Sequence, residues 1–129
     1  MSEPRWISSD FVIRLNRRLV EHSGEPFLLR DGGLLESALT VPQNRWHYER
    51  AKDIGELGLA LAVAIARNHP FAQGNKRTAW AAMLTFFHIN GFALRAKDDY
   101  HLAELFIAVI TGTLEPEILL SSMFISPAP

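Results

Sequence analysis

The chain contains no cysteine. That excludes a disulfide frame and a thiolate zinc site. It also lacks an excess of charge: 13 Lys and Arg stand against 14 Asp and Glu, for a formal net charge of −1. Such balance argues against a protein that lives on nucleic-acid backbones, so no direct nucleic-acid contact is expected. Long apolar runs are missing as well. The longest, Leu57 to Ala66, is interrupted by Gly58 and is about half of what a membrane span needs. The opening residues, Met1 to Trp6, hold no apolar signal core, so no membrane association is expected. The 5 histidines show no metal-binding spacing, and there is no HExxH pattern, GxxxxGK(S/T) phosphate loop or GxSxG elbow. No repeat, low-complexity tract or inter-domain linker breaks the chain. These absences leave one soluble domain over residues 1–129, in a reducing compartment and most simply the cytoplasm.

What is present is helical pattern. Apolar residues make up 48% of the chain, enough for a proper core. Ser8, Ser9 and Asp10 cap a helix with Phe11, Val12, Leu15 and Leu19 on one face and Arg14, Arg17 and Arg18 on a solvated one. Ser23-Gly24-Glu25-Pro26 stops it, and Asp31-Gly32-Gly33 is a turn signal. Leu34 to Thr40 is a short helical pattern closed by Pro42. The polar and aromatic stretch from Val41 to Lys52 has no clear period and reads as loop or ragged helix. Asp53 to Asn68 is apolar nearly all round, the mark of a central helix. A second buried helix runs from about Lys76, through Ala79, Ala82, Met83, Phe86 and Phe87, to Asn90-Gly91. His88 reads as packed or hydrogen-bonded, and Trp80 as core. Phe92 to Arg95 reads as at most a short extended piece. Asp98-Asp99 and Pro116 start two further helices, and Ser126 to Pro129 reads as a frayed tail. The expected fold is all-α, with five or six helices and no convincing strand pair.

The chemistry is concentrated between the two central helices, in Arg67-Asn-His69-Pro-Phe71-Ala-Gln73-Gly74-Asn75-Lys76-Arg77-Thr78. A residue before proline is pushed out of the right-handed helical region, so the first helix should stop near Asn68. Gly74 allows a tight turn, and the helix opening after it bares backbone N–H groups at the positive end of its dipole. Lys76 and Arg77 oppose that dipole unless an anion is present, which points to a phosphate site. His69 is the natural general base and Phe71 the buried anchor of the loop. The bland alternatives are a helix-end histidine and an ordinary Gly-Asn turn.

The segment from His69 to Ala79 resembles the signature of the Fic/Doc superfamily, His-x-Phe-x-(Asp/Asn)-(Gly/Ala)-Asn-(Gly/Lys)-Arg. The Asn75-Lys-Arg-Thr-Ala79 ending and the short chain are similar to the Doc (death-on-curing) branch. The likeness extends to an opening Ile-Ser helix, the Gly32-Gly-Leu-Leu-Glu-Ser-Ala38 segment and a closing Thr111-Gly-Thr-Leu-Glu115. The resemblance implies an all-helical Fic-type bundle with the signature loop between two central helices. It implies a Doc-type toxin that transfers phosphate from ATP, with Mg²⁺, to a Thr, Ser or Tyr hydroxyl of a target protein such as a translation factor. It also implies a small antitoxin partner. By the same resemblance His69 and Arg77 are catalytic, and Gly74, Asn75, Lys76 and Arg77 form the anion hole. Leu34, Leu35, Ser37 and Thr40 belong to a flap that positions the target.

Two departures bear on activity. Gln73 stands where the family has Asp or Asn for Mg²⁺, and an amide oxygen offsets no charge. Trp80 stands where AMP-transferring members carry a second arginine, which disfavours AMP transfer. Thr113 to Glu117 approaches a self-inhibitory helix motif, but Ile118 breaks it, so restraint is expected from a partner. The rival readings are an AMP transferase, a catalytically weak binding module created by Gln73, and a DNA-associated regulator using Arg14, Arg17, Arg18 and the Arg45–Arg50 loop.

Overall fold

The computed structural model of the chain describes residues 2–129. Among these residues the order is α1 Ser9–His22, α2 Gly32–Tyr48, α3 Ile54–Asn68, α4 Asn75–Ile89, β1 Phe92–Leu94, α5 Tyr100–Ile110, α6 Pro116–Met123 and β2 Ile125–Pro127. The helices start where short polar side chains meet bare N–H groups. Ser8 accepts from Phe11 N–H, Asp31 from Leu34, Asp53 from Glu56 and Asp99 from His101.

Helices α3 and α4 form the centre. Leu57, Leu61, Ala62 and Ile65 of α3 are buried together with Ala79, Ala82, Met83, Phe86 and Phe87 of α4. An all-round apolar α3 is explained by neighbours on several sides: α2, α4, α5 and α6 all pack against it. Helix α1 closes the outer side of α4, and Trp6 stacks on Phe86 with ring centroids 5.8 Å apart. The arginines of α1 face solvent as expected. Arg17 pairs with Glu21 at 3.8 Å and lies over the Phe27 ring.

Several sequence expectations need correction. Helix α2 does not close at Pro42 but runs through it to Tyr48. Pro42 and Trp46 are both buried one turn apart, and this burial outweighs the hydrogen bond that proline removes. Residues 126–129 are not a frayed tail. Ile125–Pro127 pairs antiparallel with Phe92–Leu94, and Ala128 N–H donates to Gly91 O at 2.8 Å. Arg95 adds bonds to Ser126 Oγ at 2.6 Å and to the Pro127 carbonyl at 2.5 Å. Strands of three residues are too short to show a period of two, so the pairing left no pattern to read. His88 is exposed on α4 rather than packed, and Trp80 is half-buried, donating to Asp98 at 3.0 Å.

Gly58 sets the distance between the central helices. A Cβ there would overlap the Phe87 ring, standing 2.8 Å from its Cζ. Gly58→Ala should therefore destabilise the fold by about 1–3 kcal/mol through overpacking, although alanine is the better helix former. Urea unfolding checks this; an unchanged or higher midpoint would show that α3 and α4 are not in that contact.

Candidate functional site

Helix α3 ends at Asn68, as the following His69-Pro70 pair requires. His69 is its cap, in the left-handed region at φ 52°, ψ 53°. That conformation costs a residue with a Cβ about 1–2 kcal/mol, so neighbours must hold it. Asn75, 5% exposed, does so. Its Oδ1 accepts from Phe71 N–H at 3.0 Å, and its Nδ2 donates to Phe71 O at 2.8 Å. The same Nδ2 lies 3.1 Å from His69 Nδ1. The Phe71 N–H fixes which end of the amide is oxygen, so Nδ2 faces the ring as a donor. The neutral imidazole then accepts at Nδ1 and carries its hydrogen on Nε2. Phe71 itself is fully buried, as expected of an anchor.

The turn into α4 is made by Gly74, at φ 74°, with no side-chain cap on the helix. His69, Gln73, Gly74, Asn75, Lys76 and Arg77 line one open cavity of about 380 Å³, together with Ala72 and Glu25. The structure thus brings together every residue assigned to the catalytic and anion-binding set. Lys76 is exposed and makes no ion pair among the described residues. Arg77 is engaged: Nη2 lies 2.6 Å from Glu25 Oε1 and Nη1 donates to Ser23 Oγ at 3.0 Å. Glu25 was legible in the sequence only as part of a helix stop. It is an internal anion beside an arginine of the cavity.

A second hollow, of about 280 Å³, shares Lys76 and Arg77 with this cavity and is walled by Trp80, Ala103, Phe106 and Ile107, with Asp98 at its edge. Trp80 and Phe106 rings are 5.2 Å apart there. Two roomier hollows, of about 480 and 630 Å³, share no residue with the signature loop. Volume favours them, but neither gathers a histidine, bare helix N–H groups and cations, so the chemistry points to the smaller cavity.

The residues read as a flap do not reach the cavity. Leu34, Leu35, Ser37 and Thr40 lie within α2; Leu35 is buried in the core, and none of the four lines the cavity. Leu34 approaches only through its carbonyl, which accepts from Asn68. The segment that lies on the signature loop is Leu28–Asp31. Arg30 and Asp31 N–H both donate to Pro70 O, at 2.8 and 3.1 Å, and Ala72 N–H donates to Leu28 O at 3.0 Å. Its sequence has no alternation to reveal this pairing.

The hydrogen bonds from Ser23 and then Arg77 hold the Glu25 carboxyl below its ordinary value of 4.5; burial opposes them, and the Arg77 charge adds a lesser pull the same way as the bonds. A depressed folded value contributes stability above the unfolded value and loses it as pH falls through the folded one. The stability difference between the parent and Glu25→Gln should therefore be full at neutral pH and shrink below about pH 4.5. It should be modest, because both side chains are partly exposed. Denaturant midpoints measured against pH check it; parallel curves into acid would show that the pair does not form in solution.

Comparison with known proteins agrees with this geometry. Residues 6–87 match the Fic/DOC family. The chain is 43% identical over 82 residues to a protein named Toxin Doc from Mycolicibacterium smegmatis, an alignment spanning 63% of each of the two proteins. It is 34% identical over 110 residues to Protein kinase doc of Escherichia phage P1, across 85% of this chain and 86% of that one. A signature loop built this way between two central helices, and a match over most of the chain, have one explanation: the protein belongs to the Fic/DOC family.

Proposed function

We propose that this chain is a Doc-type toxin that transfers the γ-phosphate of ATP to a hydroxyl of a target protein, and that an antitoxin restrains it. The observation that carries the proposal is the convergence of His69, the bare N–H groups opening α4, Lys76 and Arg77 on one cavity. The relatives named Toxin Doc and Protein kinase doc support it. Phosphoryl transfer asks a protein mainly for alignment and charge offset. The N–H groups and Lys76 take the phosphate oxygens. Arg77 turns its fork to them as it leaves Glu25. The hydrophobic hollow between Trp80 and Phe106 suits the flat base of the same nucleotide.

The target hydroxyl oxygen attacks the γ-phosphorus, the bond from that phosphorus to the bridging oxygen breaks, and ADP departs. His69 takes the hydroxyl proton. Its resting tautomer, with hydrogen on Nε2, must first change: the exposed ring exchanges its proton with water and gives up the Asn75 contact. Resting geometries of this kind tighten or rearrange in the substrate complex. The target segment would be laid beside His69 by Leu28–Asp31, whose Leu28 side chain is exposed. Mg²⁺ would enter as a companion of the phosphates and draw most of its ligands from them. Gln73 offers an amide oxygen, Glu25 is held by Arg77, and phosphate and water oxygens would complete the shell. When bound, the ion would offset phosphate charge.

The test is ATP labelled at the α or the γ position, mixed with the purified chain and a cell lysate. Label from the γ position should reach one protein, and His69→Ala should lower the rate by about 10²–10⁴-fold. Urea stability should barely change, since His69 is exposed. Transfer of α-label alone would replace this reading with AMP transfer.

Gln73 decides between a working enzyme and a binding module. Gln73→Asp should raise the transfer rate and lower the Mg²⁺ concentration needed for half-maximal rate. A parent silent with both labels beside an active Gln73→Asp variant would favour the binding module.

A further inference from the structure

Asn16 lies on α1, far from the signature in sequence, and is 1% exposed. Its Nδ2 donates to Gln73 O at 2.9 Å and to Thr78 Oγ1 at 3.0 Å, so both hydrogens of the amide go to the loop and the first turn of α4. Its Oδ1 is enclosed and has no partner among the described residues. Turning the amide over would set Oδ1 against the Gln73 carbonyl oxygen, acceptor against acceptor. The side chain therefore keeps an orientation that leaves its own oxygen unbonded, a local sacrifice that core stability alone would not select.

We infer that Asn16 is a positioning residue: by holding the Gln73 carbonyl, it aims the Gly74 N–H at the anion that the signature cavity takes. The Gln73 carbonyl and the Gly74 N–H belong to one planar trans peptide and point to opposite edges of it. Drawing the oxygen toward α1 turns the hydrogen away from α1. Gly74 N–H donates to no other described residue, while Gly74 O is used by Thr78 N–H at 2.9 Å. Gly74 also lines the cavity. The loop lies so near α1 that only glycine fits at position 74. A Cβ on Gly74 would already stand 2.9 Å from Val20 Cγ1 and 3.3 Å from Asn16 Nδ2. Without Asn16 the peptide is free to rotate and present an oxygen, not a hydrogen, to a phosphate.

The inference rests on the nucleotide reading of the cavity, and its test separates the two. In the parent protein, the Gly74 amide resonance should move downfield as inorganic phosphate or ATP is added. Asn16→Leu keeps the side-chain shape and removes the donor. It should retain a cooperative urea transition, lose the Gly74 shift and bind ATP about ten- to a hundredfold more weakly, the effect of one hydrogen bond to a charged group. A parent that binds ATP with its Gly74 amide unmoved overturns the inference, as does an Asn16→Leu protein that binds ATP as the parent does. A parent that binds neither probe overturns the nucleotide reading, and this inference with it. Should Asn16→Leu fail to fold, the parent's Gly74 resonance still decides.

Discussion

The carboxamide of Asn75 is the constraint on which the site depends. It answers both the N–H and the carbonyl of Phe71 and reaches the His69 ring with the same nitrogen. No other side chain does this at that length. Aspartate would set a carboxylate oxygen against the Phe71 carbonyl, and glutamine would carry the amide one methylene too far. The bond to Phe71 N–H orients the amide, the amide orients the imidazole, and the imidazole's tautomer follows. A backbone hydrogen buried in the loop thus determines where a proton sits on an exposed ring.

The loop can hold His69 in an unfavourable backbone region because its two ends cannot move apart. Helices α3 and α4 lie close through Gly58, and Phe71 is buried without remainder beneath the turn. Full burial of such a ring is worth about 1.5–3 kcal/mol, against about 1–2 kcal/mol for a left-handed residue. The comparison runs in favour of the bent loop even before the Asn75 bonds are counted. Strain at His69 is therefore supported from below, by hydrophobic packing, and from the side, by hydrogen bonds.

Much of this was legible in the sequence because it is local. His69-Pro70 announces the end of α3, Gly74 the turn, and the periodic small and aromatic residues announce two buried helices. The helix caps at Ser8 and Asp99 were equally plain. What escaped is non-local. Asn16 sits on the inward face of α1 among apolar residues, where a polar side chain gives no sign of a partner 57 residues away. Glu25 looked like helix punctuation until the fold carried it to Arg77. The pairing of Leu28–Asp31 with the loop, and of Phe92–Leu94 with Ile125–Pro127, is made by backbone groups that every residue has. Pro42 misled for the opposite reason: its local rule is strong, and burial of Pro42 and Trp46 overrode it.

The charges at the head of α4 are placed where an anion would offset them. Lys76 and Arg77 stand in the first turn, where the helix dipole disfavours cations by about 0.3–1 kcal/mol each. No acidic residue lies in that turn and no side chain caps it. Arg77 recovers its loss from Glu25, an anion brought from the end of α1. Lys76 recovers nothing within the described residues. A protein selected only for stability would place Ser, Asp or Glu here, as this chain does at α1, α2, α3 and α5. Helix α4, whose N-terminus opens beside His69, departs from that habit. The carboxylate already seated on Arg77 marks the kind of group the fork is shaped to hold. A phosphate would satisfy Arg77 as Glu25 does, and would satisfy Lys76 and the bare N–H groups that Glu25 leaves unmet.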